Sequence, residues 1–260
     1  VADRALQSAK ADQIKAETEA TRSRHVTQFL EEMLQGVGPS VARGDDTKML
    51  RRILDRTAET ISDQLSGQPD VEAQLRGLIG RLYVEIGHFD IAESMHTAQV
   101  AIYRKSVPIR ESDLASALFD LSVAYWKKRK LAEAEGVLDE SLAIRRRVFG
   151  PEHPTVAATL NHLGAVYRRQ RRLEESEKLT REGLAIRVRL FGHEHLEVAD
   201  SLRNLAIVLV DRGQRADGEA AAREMLAIRR RLPRPRSHLW WPPLSRTSRG
   251  SLARRTMLRR

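Results

Sequence analysis

The phrase LAIRRRVFGPEHPTVAATL at 142–160 returns as LAIRVRLFGHEHLEVADSL at 184–202, 42 residues later. A chain that repeats itself at a fixed period of this size must stack copies of one supersecondary unit, because a single unit cannot bury its own apolar face. The same offset links Tyr83, Tyr125, Tyr167 and Leu209, then Ala92, Ala134, Ser176 and Gly218, then Ile102, Ile144, Ile186 and Ile228. Four units therefore begin near Glu72, Leu114, Val156 and Val198, which divides the array into 71–112, 113–154, 155–196 and 197–232.

Inside a unit the apolar period is helical: Leu160, Leu163, Gly164 and Tyr167 fall three or four apart, and Leu179, Leu184 and Ile186 continue the pattern in the next segment. Each unit reads as two helices. Gly87 and Gly213 stand at the turn between them, where a left-handed residue ends the first helix. Arg129 and Arg171 take that place in the middle units, which predicts turns of a different build there. Tyr125, Tyr167, Ala134 and Leu142 are expected to fill helix interfaces. Composition agrees with an all-α fold, since aromatics are only 5% and charged residues 31%, with Ala, Leu, Glu and Arg prominent.

G-A-V-Y at 164–167 and A-E-G-V-L at 134–138 resemble the tetratricopeptide signature. The longer unit FGPEHPTVAATLNHLGAVY resembles the 42-residue type found in kinesin light chains. The resemblance covers about 72–232 and implies an all-α solenoid of helical hairpins. The eight residues beyond the usual 34 would lengthen the second helix and its connection, by about 12 Å if fully helical. Unit one departs from the pattern: Arg76 stands where Leu118, Leu160 and Leu202 stand, and its exit reads SVPIRES instead of FGPEHP.

Residues 1–70 are read as a long helix over 2–35, ending FLEEMLQG, followed by a docking helix over 46–65 with Leu50, Ile53, Leu54, Ala58, Ile61 and Leu65 on one stripe. QFLEEML, a helix, and then QPDVEAQLR resemble the linker of bacterial serine/threonine kinases fused to a tetratricopeptide tail. No Gly-rich loop, HRD or DFG accompanies it, so any kinase activity would belong to other sequence. The start at Val1 suggests a piece of a longer protein. A cytoplasmic location is the default expectation, with membrane association if a kinase and a membrane span precede.

The net charge of +10 is concentrated at one end. Residues 231–260 hold nine Arg, no Lys and no acid, which leaves 36 basic against 35 acidic residues over positions 1–230. The segment 233–260 reads as a basic, Pro-rich tail, with a lesser reading as a nucleic-acid or anionic-membrane contact through its arginines with Trp240 and Trp241. Absence of Cys excludes disulfides, thiol nucleophiles and cysteine-ligated zinc. His193, Glu194 and His195 resemble a ligand cluster, but the previous unit has Pro151, Glu152 and His153 there. The expected role of His153 and His195 is to close the turn and cap the next helix. No cofactor, metal or catalytic residue is expected.

The resemblance places binding on the concave face, lined by the first helix of each unit. At 100° per residue Asn161, Ala165 and Arg168 project together with His162 and Arg169 beside them, while Leu160, Leu163 and Tyr167 face the stack. The matching positions are Phe119, Asp120, Val123, Trp126 and Lys127, then Arg203, Asn204, Ile207, Val210 and Asp211. The expected function is a non-catalytic scaffold for a protein or peptide partner, with Phe119, Asp120, Trp126, Lys127, Asn161, His162, Arg168, Arg169, Arg203 and Asn204 as the groove. Asn in LNHL and LRNL resembles the groove Asn of the kinesin light chain type, whose amides can hold a peptide backbone. Asn161, Arg168 and Asn204 are expected to be exposed, and therefore replaceable at little cost in stability.

Overall fold

The computed structural model describes residues 46–65 and 67–232. The helix expected over 2–35, the QFLEEML part of the kinase-linker resemblance, and the basic segment 233–260 with the nucleic-acid or membrane contact expected of it lie outside the described residues.

Among the described residues the chain forms helices and no strand. They are α1 (Asp46–Gln64), α2 (Pro69–Glu85), α3 (Phe89–Lys105), α4 (Glu111–Lys127), α5 (Leu131–Phe149), α6 (Pro154–Arg169), α7 (Leu173–Phe191), α8 (Leu196–Asp211) and α9 (Arg215–Arg231). α2–α3, α4–α5, α6–α7 and α8–α9 are the four hairpins, and each packs mainly on its sequence neighbours. The first helices start two or three residues before the unit boundaries read from the sequence. Apolar periodicity registers only from the first buried side chains, Val71, Leu114, Val156 and Val198, whereas the opening turn presents Pro, acids and other exposed groups.

Within a hairpin the two helices touch where one of them lacks bulk. A Cβ on Gly80 would lie 2.6 Å from the His96 ring, and one on Gly164 would lie 2.7 Å from Thr180 Oγ1. The same notch and filler thus recur 84 residues apart, in units one and three, while Ser122 and Ala206 hold that position in units two and four.

The turns inside the hairpins overturn the expectation of two kinds of turn. Arg129 and Arg171 adopt φ of 62° and 66°, beside Gly87 and Gly213 at 82° and 83°. All four turns carry the same pair of hydrogen bonds: the amides of His88, Lys130, Arg172 and Gln214 donate to the carbonyls of Tyr83, Tyr125, Tyr167 and Leu209, and the residue before each donates three positions back. This is the Schellman closure. The stacking of the hairpins fixes the chain path, so an L-residue occupies a conformation that Gly adopts more easily.

Successive hairpins are joined by a repeated side chain. Arg145 of α5 donates to the Thr155 carbonyl at 3.0 Å and to Thr159 Oγ1 at 2.6 Å on α6. Arg187 of α7 does the same one repeat later, to the Glu197 carbonyl at 2.8 Å and Ser201 Oγ at 2.9 Å on α8. Both arginines are buried. His153 and His195 cap the helices that follow, accepting at Nδ1 from the amides of Thr155 and Glu197. Each also stacks at 4.5 Å on the Phe that ends the preceding helix.

At the other end α1 covers the first hairpin with Leu54 and Ile61, joined by Leu65 just beyond its end. Asp55 accepts from the Tyr83 hydroxyl at 2.6 Å. Arg76, which breaks the Leu pattern of the other units, is buried and reaches back to Ser62 of α1 while pairing with Glu72 at 2.8 Å. The departure in unit one is thus the seat of the docking helix.

Replacing Arg129 or Arg171 with Gly is expected to raise stability by about 1 kcal/mol, since it removes the left-handed penalty at an exposed position. Chemical denaturation of the two single variants checks this, and Gly213→Ala should move the other way.

Candidate peptide-binding groove

The inner surface of α4, α6 and α8 encloses one open groove of about 430 Å³. α4 contributes Phe119, Val123, Trp126 and Lys127, and α6 contributes Ala158, Asn161, His162, Ala165, Arg168 and Arg169. α8 adds Asp200, Arg203, Asn204, Ile207 and Val208, and Thr180 and Arg187 enter from α7. Nine of the ten candidate residues therefore come together here. The hairpin path explains why: each first helix turns the same face inward, so positions 42 or 43 apart become neighbours across the repeat joint.

Asp120 does not join them. It faces the preceding repeat, where Arg81 holds it at 2.8 Å. Asn161 lines the groove but is only 4% exposed, its amide nitrogen donating to Ser201 Oγ at 2.8 Å. The expectation of a freely replaceable Asn161 fails for that reason, and the amide also sits against the notch at Gly183. Arg168 is half-buried and committed to Asp211 at 2.9 Å. Arg203 is exposed and Asn204 half-buried.

The floor between repeats two and three is aromatic. Phe119 and His162 have ring centroids 5.3 Å apart, and Trp126 and His162 lie 6.3 Å apart. Cations cover both outer rings: the Arg169 guanidinium sits 4.7 Å from the Trp126 centroid and Arg145 sits 4.8 Å from that of Phe119. Burial lowers the Arg145 guanidinium to about 10, with Asp120 opposing the shift, so it stays charged at neutral pH. Burial likewise lowers His162 to about 4, against a hydrogen bond to the Ser122 backbone, so its ring is neutral there.

Arg187 was missed from the sequence as part of the groove, and Arg145, one repeat earlier, as the cation over Phe119. Their signal was available in the paired phrases LAIRRR and LAIRVR, which place Arg at one phase of the repeat beside a buried Ile. Charges at the edge are unbalanced. Lys127, Arg169 and Arg203 have no carboxylate partner among the described residues, whereas the groove's Asp200 is already paired with Arg229.

The His193–His195 segment is occupied by structural work, with His195 capping α8 and Glu194 paired with Arg231. Among the described residues no three His, Cys, Asp or Glu gather as a metal site, and no helix is long and apolar enough to cross a membrane.

The family model described as Tetratricopeptide repeat matches residues 113–187 and 155–231. Residues 113–231 are tetratricopeptide repeats. The hairpin α2–α3 extends the same stack. Among solved structures the chain is similar to BtubC (BKLC) from P. vanneervenii, at 21% identity and a TM-score of 0.61, over 84% of this chain and 93% of that one. It is also similar to a Podosopora anserina putative kinesin light chain with nearly identical TPR-like repeats, at 20% identity and a TM-score of 0.56, over 81% and 94%. MamA aligns at 15% identity with a TM-score of 0.51, over 71% and 94%. At these identities the likeness concerns the fold. No curated protein matches the chain. Tetratricopeptide arrays are in general scaffolds for protein–protein interaction.

The pH dependence of stability follows from His162. Its folded-state value lies below the ordinary 6.5, so between 6.5 and about 4 the unfolded chain takes up a proton that the folded chain refuses. The stability associated with the neutral ring is present above 6.5 and is lost as pH falls toward 4. Buried His96, also lowered mainly by desolvation, acts in the same sense. Denaturant unfolding at about pH 7 and about pH 5 should show a smaller loss for His162→Phe than for the parent chain.

Proposed function

We propose that this chain is a non-catalytic scaffold that holds an extended, acidic segment of a protein partner in the concave groove of repeats two to four. The observation that carries the reading is the convergence, from three successive repeats, of an aromatic floor with three cations that lack carboxylate partners among the described residues. Those cations favour anionic side chains, and the floor of Phe119, Trp126 and His162 offers apolar area to anchor one ring or aliphatic chain. An open trough that crosses repeat joints suits an extended chain better than a compact small molecule. The resemblance of 28–34 and 68–76 to kinase-fusion linkers adds a setting to the proposal, the recruiting arm of a larger signalling protein. An upstream reading frame without a kinase domain would remove that setting and leave the groove untouched.

The test uses peptides of about 12 residues selected by display on the full chain, a length that spans the groove when extended. Replacing Arg169, Arg203 and Asn204 together with Ala should change stability by no more than about 1 kcal/mol, because none is committed to an ion pair and only Arg169 gives up a ring contact, to Trp126. It should weaken the selected peptides by about ten-fold or more, with the parent affinity falling as salt rises. Unchanged affinity in the triple variant would move the site to the convex face or to α1.

A further inference from the structure

The second helices hold the following repeat through two directed groups. Near the start of each, an acid takes a cation from the turn of the next repeat: Glu93 pairs with Lys130 at 2.7 Å, Glu135 with Arg172 at 2.7 Å, and Glu177 with Arg212. Near the end of α5 and α7, Arg145 and Arg187 donate to the opening turns of the helix that follows.

Helix α9 belongs to the last described repeat, yet it carries both groups again. Glu219 stands 42 residues after Glu177, and Arg229 stands 42 after Arg187, inside an LAIRRR at 226–231 identical to that at 142–147. Neither is used as its predecessors are. The Glu219 carboxylate has no partner among the described residues, and Arg229 turns back to the exposed Asp200 at 2.5 Å. The apolar part of the same flank is bare too. Leu142 is 7% exposed, packed with Val156 and Leu160 of the following repeat, whereas Leu226 at the same phase is 46% exposed. Val210 of α8, at the phase where Trp126 and Arg168 meet the next repeat, is also exposed. The flank that ends such an array is ordinarily polar, because it faces water.

Glu219, Ala222, Leu226 and Arg229 are three, four and three residues apart, so they form one stripe about 15 Å long on α9. The stripe reads acid, apolar, apolar, base. Turned end for end, it is its own complement. About a two-fold axis near position 224, Glu219 of each copy faces Arg229 of the other and Ala222 faces Leu226, with Met225 beside the axis. An isologous interface requires this kind of self-complementarity. A head-to-tail copy would have to displace α1, which already covers the first hairpin. The segment 233–260 holds no Asp or Glu to meet Arg229.

We infer that the outer stripe of α9 is a dimerisation face, and that its occupant is α9 of a second copy of this chain, packed antiparallel. This is independent of what the groove holds.

Sedimentation equilibrium on the full chain tests it. The parent should pass from monomer to dimer as its concentration rises through the micromolar range. Glu219→Arg and Arg229→Glu should each weaken self-association by about ten-fold or more, since each sets like charges opposite one another at both ends of the stripe. Both positions are exposed and the Arg229–Asp200 pair lies at the surface, so far-UV circular dichroism should show both variants folded. An equal mixture of the two variants should dimerise again, because every mixed pair brings two arginines of one copy against two glutamates of the other. A parent that stays monomeric at about 100 μM overturns the inference. A parent dimer that both variants retain overturns it as well, by placing the contact elsewhere on the chain. Two monomeric variants whose mixture does not pair would sink the antiparallel register and the inference with it.

Discussion

A two-helix hairpin has two apolar flanks and can cover only one of them itself. Everything else in this molecule follows from covering the other. α1 closes the first flank with Leu54 and Ile61, and each later hairpin closes the one before it. Apolar area sets the strength of these contacts but not their register, because burial is non-directional. Register comes from directed bonds repeated at the joints. Arg145 and Arg187 each reach a carbonyl and a hydroxyl on the next helix, and His153 and His195 fix where that helix starts. Buried guanidinium groups are costly to desolvate, so their value lies in specifying one arrangement among several that would bury similar area.

The groove inherits its contents from that register. Residues 43 apart meet across the joints, as Phe119 meets His162, Trp126 meets Arg169 and Arg168 meets Asp211. The three pairs occupy two equivalent joints with different chemistry, aromatic at one and ionic at the other. A repeating scaffold thus carries a non-repeating surface.

How much of this could be read from the sequence depends on the scale of the feature. Helix number, hairpin pairing and the inward face of the first helices were legible, since a 42-residue offset and a helical apolar period constrain them over many residues at once. Single side chains were less so. Helical phase alone put Asp120 in the groove, but the phase of one helix says nothing of Arg81 on the first helix of the preceding repeat. Asn161 was legible as inward-facing and illegible as buried, because its burial depends on Ser201 and Gly183, each from a different helix. The turns at Arg129 and Arg171 misled for the opposite reason. Local propensity argued for a separate geometry, and tertiary stacking imposed the common one.

Arg187 has a further consequence, since it belongs both to a joint and to the groove. One nitrogen of its planar guanidinium holds Ser201, and the same side chain lines the groove. The seating of repeat four on repeat three and the lining of the groove are therefore not independent variables. A substitution at this position alters the joint along with the chemistry that the groove presents.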